Sequence, residues 1–143
     1  VDVSGSMDSQ LSGKSDLKRV DAAAALGAIW PGDVRLFTFS NELVEVPARR
    51  GMAGVDATIR SQRHGGTRLG KALETLNAKV KYDRLLVITD EQSRDAVPDP
   101  TCERAYMINV ASNKRGVGYG KWNHIDGFSE GVLRFIEAFE NDR

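Results

Sequence analysis

The chain has 143 residues, with 20 Lys plus Arg balanced against 20 Asp plus Glu and a single cysteine, Cys102. That length suits one domain able to bury a core without cross-links, and zero net charge argues against a partner held by bulk electrostatics, whether nucleic acid or an anionic membrane. One thiol cannot staple the fold, no run is long and apolar enough to span a bilayer, and no charged-then-apolar leader is visible, so the expected compartment is the cytoplasm.

In chain order, Val1 and Val3 flank Asp2 in a segment with strand character. A strand usually runs about five or six residues. The expectation is that residues 1–143 form one domain, the C-terminal part of a longer protein, with the chain starting inside a strand. Ser15-Asp16 is placed to cap a helix whose apolar residues Leu17, Val20 and Ala24 lead to Ile29-Trp30, and Pro31-Gly32 stops it. "DVRLFTFS" reads as a strand, Asn41 as a turn, and "ELVEVP" as the returning edge strand of a hairpin, ended by Pro47. Residues 52–63 are weakly helical. From Thr67 the pattern sharpens: Leu69, Ala72, Leu73, Leu76 and Val80 make one apolar helix face. "RLLVITD" and "AYMINVA" are continuous apolar runs, which suit strands buried on both faces. Residues 93–102 and 112–123 read as loops, with Trp122 entering the next strand. Ser129 caps a last helix carrying Val132, Phe135, Ile136 and Phe139 on one face. Strands alternating with helices predict an α/β fold, a mostly parallel sheet with helices on both faces. In such sheets the functional crevice lies beyond the carboxyl ends of the strands.

Chemistry concentrates at that edge. The first strand ends at Asp2, and Ser4 and Ser6 project oxygens from the turn beyond it. Thr67, after the Gly pair of "HGGTRLG", opens a helix, and Asp90 ends "RLLVITD". Two carboxylates and three hydroxyls are all hard oxygen donors, which suit Mg²⁺ or Mn²⁺ far better than Zn²⁺. The carboxylates balance a divalent charge. The neutral hydroxyls leave the ion electrophilic, and waters or a partner's carboxylate would complete its shell. Read alone, Ser4 and Ser6 are ordinary turn formers; the strand-end Asp90 and the GGT segment tip the balance toward a metal site.

Asp2-x-Ser4-x-Ser6, Thr67 in "GGT" and Asp90 in "VITD" resemble the metal-ion-dependent adhesion site of von Willebrand factor A domains, over nearly the whole chain and in the right order of strands and helices. The resemblance implies a Rossmann-like, doubly wound, mostly parallel six-stranded sheet with one antiparallel edge strand. It also implies that Asp2, Ser4, Ser6, Thr67 and Asp90 hold the metal directly or through water. Val3 departs from the Gly that adhesion members often carry there, and it is expected to face away from the metal. More narrowly, "VITDEQS", "YMINVAS", "GVGYGKW" and "HIDGFSEGVLRFIE" are similar to the A-domain half of Ro-like proteins with a TROVE module, which join a ring of helical repeats to this domain and assemble with small noncoding RNAs. The repeats are absent from this sequence. The implied function is a binding module, not an enzyme. A protein ligand's acidic residue would complete the metal shell, and small noncoding RNA would be held through the full-length protein.

Two rival readings compete with this one. "GGTRLGKA" approximates a phosphate-binding loop, with "LLVITDE" as the second nucleotide motif. Ala72 stands where Ser or Thr should ligate Mg²⁺, however, and "IRSQRH" is no buried strand. A metal-dependent phosphohydrolase would want a second carboxylate where Ser4 stands, and Glu91 is its one candidate base. In "NKRGVGYGKW", Lys114, Arg115 and Lys121 interleave with Tyr119 and Trp122, the ingredients of single-strand RNA contact; the alternative is a solvated Gly-rich loop. His64 is expected in a loop-orienting role, His124 in a structural one, and Cys102 as an unreactive thiol.

Overall fold

The computed structural model describes residues 1–8, 18–28, 34–47, 52–66, 68–90, 96–110, 121–126 and 131–141. They form an α/β arrangement of five strands and four helices, with a 3-10 turn at Gly5–Asp8. In chain order these are α1 (Arg19–Ala28), β1 (Leu36–Phe39), β2 (Leu43–Val46), α2 (Met52–Ile59), α3 (Leu69–Lys79), β3 (Arg84–Thr89), β4 (Arg104–Asn109), β5 (Asn123–Asp126) and α4 (Gly131–Asn141). Among the described residues no helix is long and apolar enough to cross a membrane.

The strands fall into two sheets. β1 and β2 are an antiparallel hairpin, Leu36 opposite Val46 through Phe39 opposite Leu43, as the alternating "ELVEV" predicts. β3, β4 and β5 are parallel, with β4 in the middle. Among the described residues the hydrogen-bonded ladders are two, of two and three strands, rather than the six-stranded sheet expected from the resemblance. Val1–Val3 is extended and makes an isolated parallel bridge, Asp2 to Phe39. It still ties the sheets together. Val3 N–H donates to the Phe39 carbonyl (2.9 Å), Phe39 N–H to the Val1 carbonyl (3.0 Å), and Asp2 N–H to the Ile88 carbonyl of β3 (2.8 Å).

Period-two alternation sends neighbouring side chains to opposite faces. Ile88, Tyr106, Ile108 and Val110 join Val3, Met7, Val20, Ala23 and Ile136 in one core, beneath α1 and α4. Val87, Ala105 and Met107 join Leu69, Ala72, Leu73, Leu76 and Phe39 in the other, beneath α3. Helices therefore cover both faces. Burying one such side chain contributes roughly 1.5–3 kcal/mol, and β4 is buried from Ala105 onward, so it is the centre of the molecule. β3 is less uniform than its sequence suggests, because Leu85 and Leu86 are only half-buried.

Element ends obey local chemistry. The Lys18 N–H donates to the Asp21 carboxylate (3.1 Å), one half of a capping box that starts α1. Ser15-Asp16 and Ser129, read as caps, lie outside the described residues. At the other end of the molecule Glu140 of α4 accepts from Arg84 of β3 and from the Tyr106 hydroxyl of β4 (2.8 Å). The Arg84 guanidinium holds the Glu140 carboxyl below its ordinary range. β5 is the element sequence patterning located least well: "NHID" offers too few apolar residues to register as a strand, and parallel pairing with β4 holds it in place.

Candidate metal site

The site grows from the end of the Val1–Val3 segment. Asp2 and Ser4 are fully buried, because Val3 and Met7 on the same turn point into the core and drag the turn down with them. Val3 thus faces away from the oxygen donors, as expected. The Asp2 carboxylate is oriented from both sides: its Oδ1 accepts the Ser4 N–H (2.8 Å), and its Oδ2 accepts the Thr89 hydroxyl from the end of β3 (2.7 Å). The Ser4 and Ser6 hydroxyls lie 3.3 Å apart. Asp90 follows Thr89 directly and is itself buried. The fold therefore brings Asp2, Ser4, Ser6 and Asp90 to one edge.

Two carboxyl groups share that edge with one guanidinium, that of Arg19, whose Nη1 lies 3.1 Å from Asp90 Oδ2. Burial pushes the Asp2 carboxyl up; hydrogen bonds from Ser4 and Thr89 oppose the rise, and the negative charge of Asp90 adds to it. Two buried carboxylates that feel each other invite a cation. Each carboxylate oxygen has two lone pairs, so the Asp2 oxygens can still face an ion or its water after accepting one hydrogen bond each. Among the described residues no group of three or more His, Cys, Asp and Glu gathers.

Thr67 lies outside the described residues, but its neighbours are placed. The Gly5 N–H donates to the Gly65 carbonyl (2.7 Å), which brings the GGT segment against the Ser4–Ser6 turn. The Gly pair lies close under the Asn41 side chain: a Cβ on Gly65 would come within 2.6 Å of Asn41 Nδ2, and one on Gly66 within 2.8 Å of Asn41 Oδ1, so a side chain at either position would push the amide aside. Asn41 thus does more than turn the hairpin. Ser40 helps as well, its hydroxyl donating to the Arg63 carbonyl (2.9 Å) and its own carbonyl accepting the Arg68 N–H (3.0 Å).

His64 braces the same loop, the orienting role expected of it. Its Nδ1 lies 2.8 Å from Asp8 Oδ1 and its Nε2 lies 2.8 Å from the Ile59 carbonyl. Partial burial disfavours the imidazolium, but the Ile59 carbonyl and Asp8 outweigh it and raise the pKa. Two acceptors are both satisfied only when the ring carries two protons. A raised histidine pKa stabilises the fold fully below the unfolded value near 6.5 and loses that contribution as pH rises through the folded value. His64→Gln should flatten this part of the stability profile. Urea melts of parent and variant between pH 5.5 and 8.5 measure it, and parallel profiles would remove His64 from the account.

Sequence patterning missed three contributors. Thr89 was legible as a polar residue at a buried strand end, and Asn41 only as a turn former. Arg19, at the start of α1, reaches Asp90 with Nη1 3.1 Å from Oδ2, across 71 positions of sequence that no local pattern spans.

The proposed RNA-contact residues are not brought together as a patch that can be described. Lys114, Arg115 and Tyr119 lie outside the described residues, and Lys121 is exposed. Trp122 leads into β5, as the loop alternative expects, and is not offered for RNA contact: it is 6% exposed, sits in the core beneath α3, and its indole N–H donates to the Pro98 carbonyl (3.1 Å). A ring packed in this way has no free face for a base. Cys102 is half-buried, and burial pushes its thiol up, away from the reactive thiolate. Glu91 also lies outside the described residues.

Comparison with known proteins finds no matching family model, no matching curated protein and no matching solved structure.

Proposed function

We propose that this chain is a von Willebrand factor A-type domain that holds Mg²⁺ or Mn²⁺ and engages a partner through it. Asp2, Ser4, Ser6, Thr67 and Asp90 would hold the ion, directly or through water. The ion would supply an electrophilic position for a hard anion. The single observation that carries this reading is the pair of buried carboxylates, Asp2 and Asp90, meeting at the edge where the Ser4–Ser6 turn projects its hydroxyls. The finer fold reading counts Val1–Val3 as the end of a sixth strand between β1 and β3, supported by its hydrogen bonds to both. The narrower reading is the A-domain half of a Ro-like ribonucleoprotein, cytoplasmic, in which small noncoding RNA is held by the full-length protein and an acidic residue of a protein ligand completes the metal shell.

The domain is a binding module rather than an enzyme in this reading. A phosphate-binding loop gains no support, since α2 and a turn, not a strand, lead into Gly65-Gly66. The test is binding and turnover side by side. Mg²⁺-dependent capture of an acidic peptide should survive moderate salt, whereas RNA binding by this chain should be weak and fall steeply with salt. Hydrolysis of nucleotides or phosphoesters that disappears on Asp2→Ala would overturn the binding reading in favour of a hydrolase.

A further inference from the structure

We propose that Arg19 competes with the divalent cation for Asp90 and so sets the affinity of the metal site. The inference rests on the metal-binding reading above and concerns a residue outside the donor set. α1 buries Val20, Ala23 and Ala24 and thereby lays its first residue over the sheet edge. There the Arg19 side chain, 14% exposed, meets an Asp90 side chain that is fully buried, Nη1 to Oδ2 at 3.1 Å. Its Nε is buried without a hydrogen-bond partner among the described residues. Desolvating a guanidinium and leaving one of its donors unmet is costly, and nothing about core packing requires a charge at this position. The compensating feature is the carboxylate.

The consequence follows from charge and geometry. A Mg²⁺-sized ion needs a carboxylate oxygen at about 2.0–2.1 Å. Arg19 already donates to one oxygen of Asp90 and would repel a divalent ion beside it. To use Asp90, directly or through a water, the ion must displace the guanidinium or share the carboxylate with it. Either route lowers affinity, so the site would load only at higher cation concentration than its two carboxylates alone would require.

The experiment titrates Mn²⁺ into the 143-residue chain and follows free Mn²⁺ by electron paramagnetic resonance, for the parent, Arg19→Met and Arg19→Lys, with Asp90→Asn as reference. Circular dichroism in chelator first establishes that each variant is folded. Arg19→Met should bind Mn²⁺ at least about tenfold more tightly than the parent, with Arg19→Lys between them, and Asp90→Asn should bind most weakly. Tight binding by Arg19→Met when the parent binds too weakly to measure supports the competition more strongly still. If parent and Arg19→Met bind equally well, or the variant binds less well, Arg19 is only a structural partner of Asp90; the competition is overturned and the metal site stands. If no form binds Mn²⁺, the metal reading falls and the competition with it. Should Arg19→Met fail to fold, the ratio of Arg19→Lys to parent decides, and a ratio of one overturns the proposal.

Discussion

Mg²⁺ at about one hundred times its dissociation constant should stabilise the chain by about 2.7 kcal/mol, and Asp2→Asn or Asp90→Asn should abolish that gain. For a domain of this size the gain corresponds to a rise in melting temperature of roughly 10 °C. The argument is one of charge. Asp2 is buried, its carboxyl is pushed up by that burial and further by Asp90, so holding it ionised costs stability, while Asp90 already has the Arg19 guanidinium beside it. A divalent ion turns the cost into a gain, and removing either carboxylate takes away half of the neutralising charge. The two variants should differ when chelator is present. Asp2→Asn removes a like charge from the pair. Asp90→Asn leaves the Arg19 guanidinium without its carboxylate, so it should melt lower. Melting curves that ignore Mg²⁺ and Mn²⁺ in the parent would sink the site while leaving the fold untouched.

Trp122→Ala should cost roughly 3–5 kcal/mol, a large share of the 5–15 kcal/mol that holds a typical domain together. The ring is buried with Leu73, Leu76 and Met107 beneath α3, so its removal leaves a cavity that the strands on either side cannot collapse to fill. Trp122→Phe keeps an aromatic body and loses the hydrogen bond to the Pro98 carbonyl, and it should cost about 1 kcal/mol beyond the lost ring area. Neutralising the exposed Lys121 next to it should leave stability unchanged. Urea titrations read all three. A Trp122→Ala chain as stable as the parent but altered in RNA binding would return this residue to the surface and to the contact loop.

What the sequence determined by itself was whatever a local period can encode. The apolar run of "AYMIN" marked the central strand, buried from Ala105 onward, "RLLVIT" marked its parallel neighbour, buried only over its last three residues, and "ELVEV" marked an edge because one side of it meets water. The helix face from Leu69 to Leu76 was legible for the same reason. Spacing also named the candidate oxygen donors, since Asp2, Ser4 and Ser6 share one turn and a strand-end Asp announces itself wherever an apolar run stops. Tertiary structure decided everything that depends on distance across the chain. It placed Asp2 beside the Thr89–Asp90 corner, seated Asn41 against the Gly pair, and turned Trp122 inward. It made Val1–Val3 the tie between the two sheets. It brought Arg19 onto Asp90, a contact that alters the charge of the site and that no spacing in the sequence foretells. Burial periodicity is a property of neighbours along the chain, whereas a salt bridge between residues far apart in sequence exists only after the helices have packed against the strands and closed the space between them.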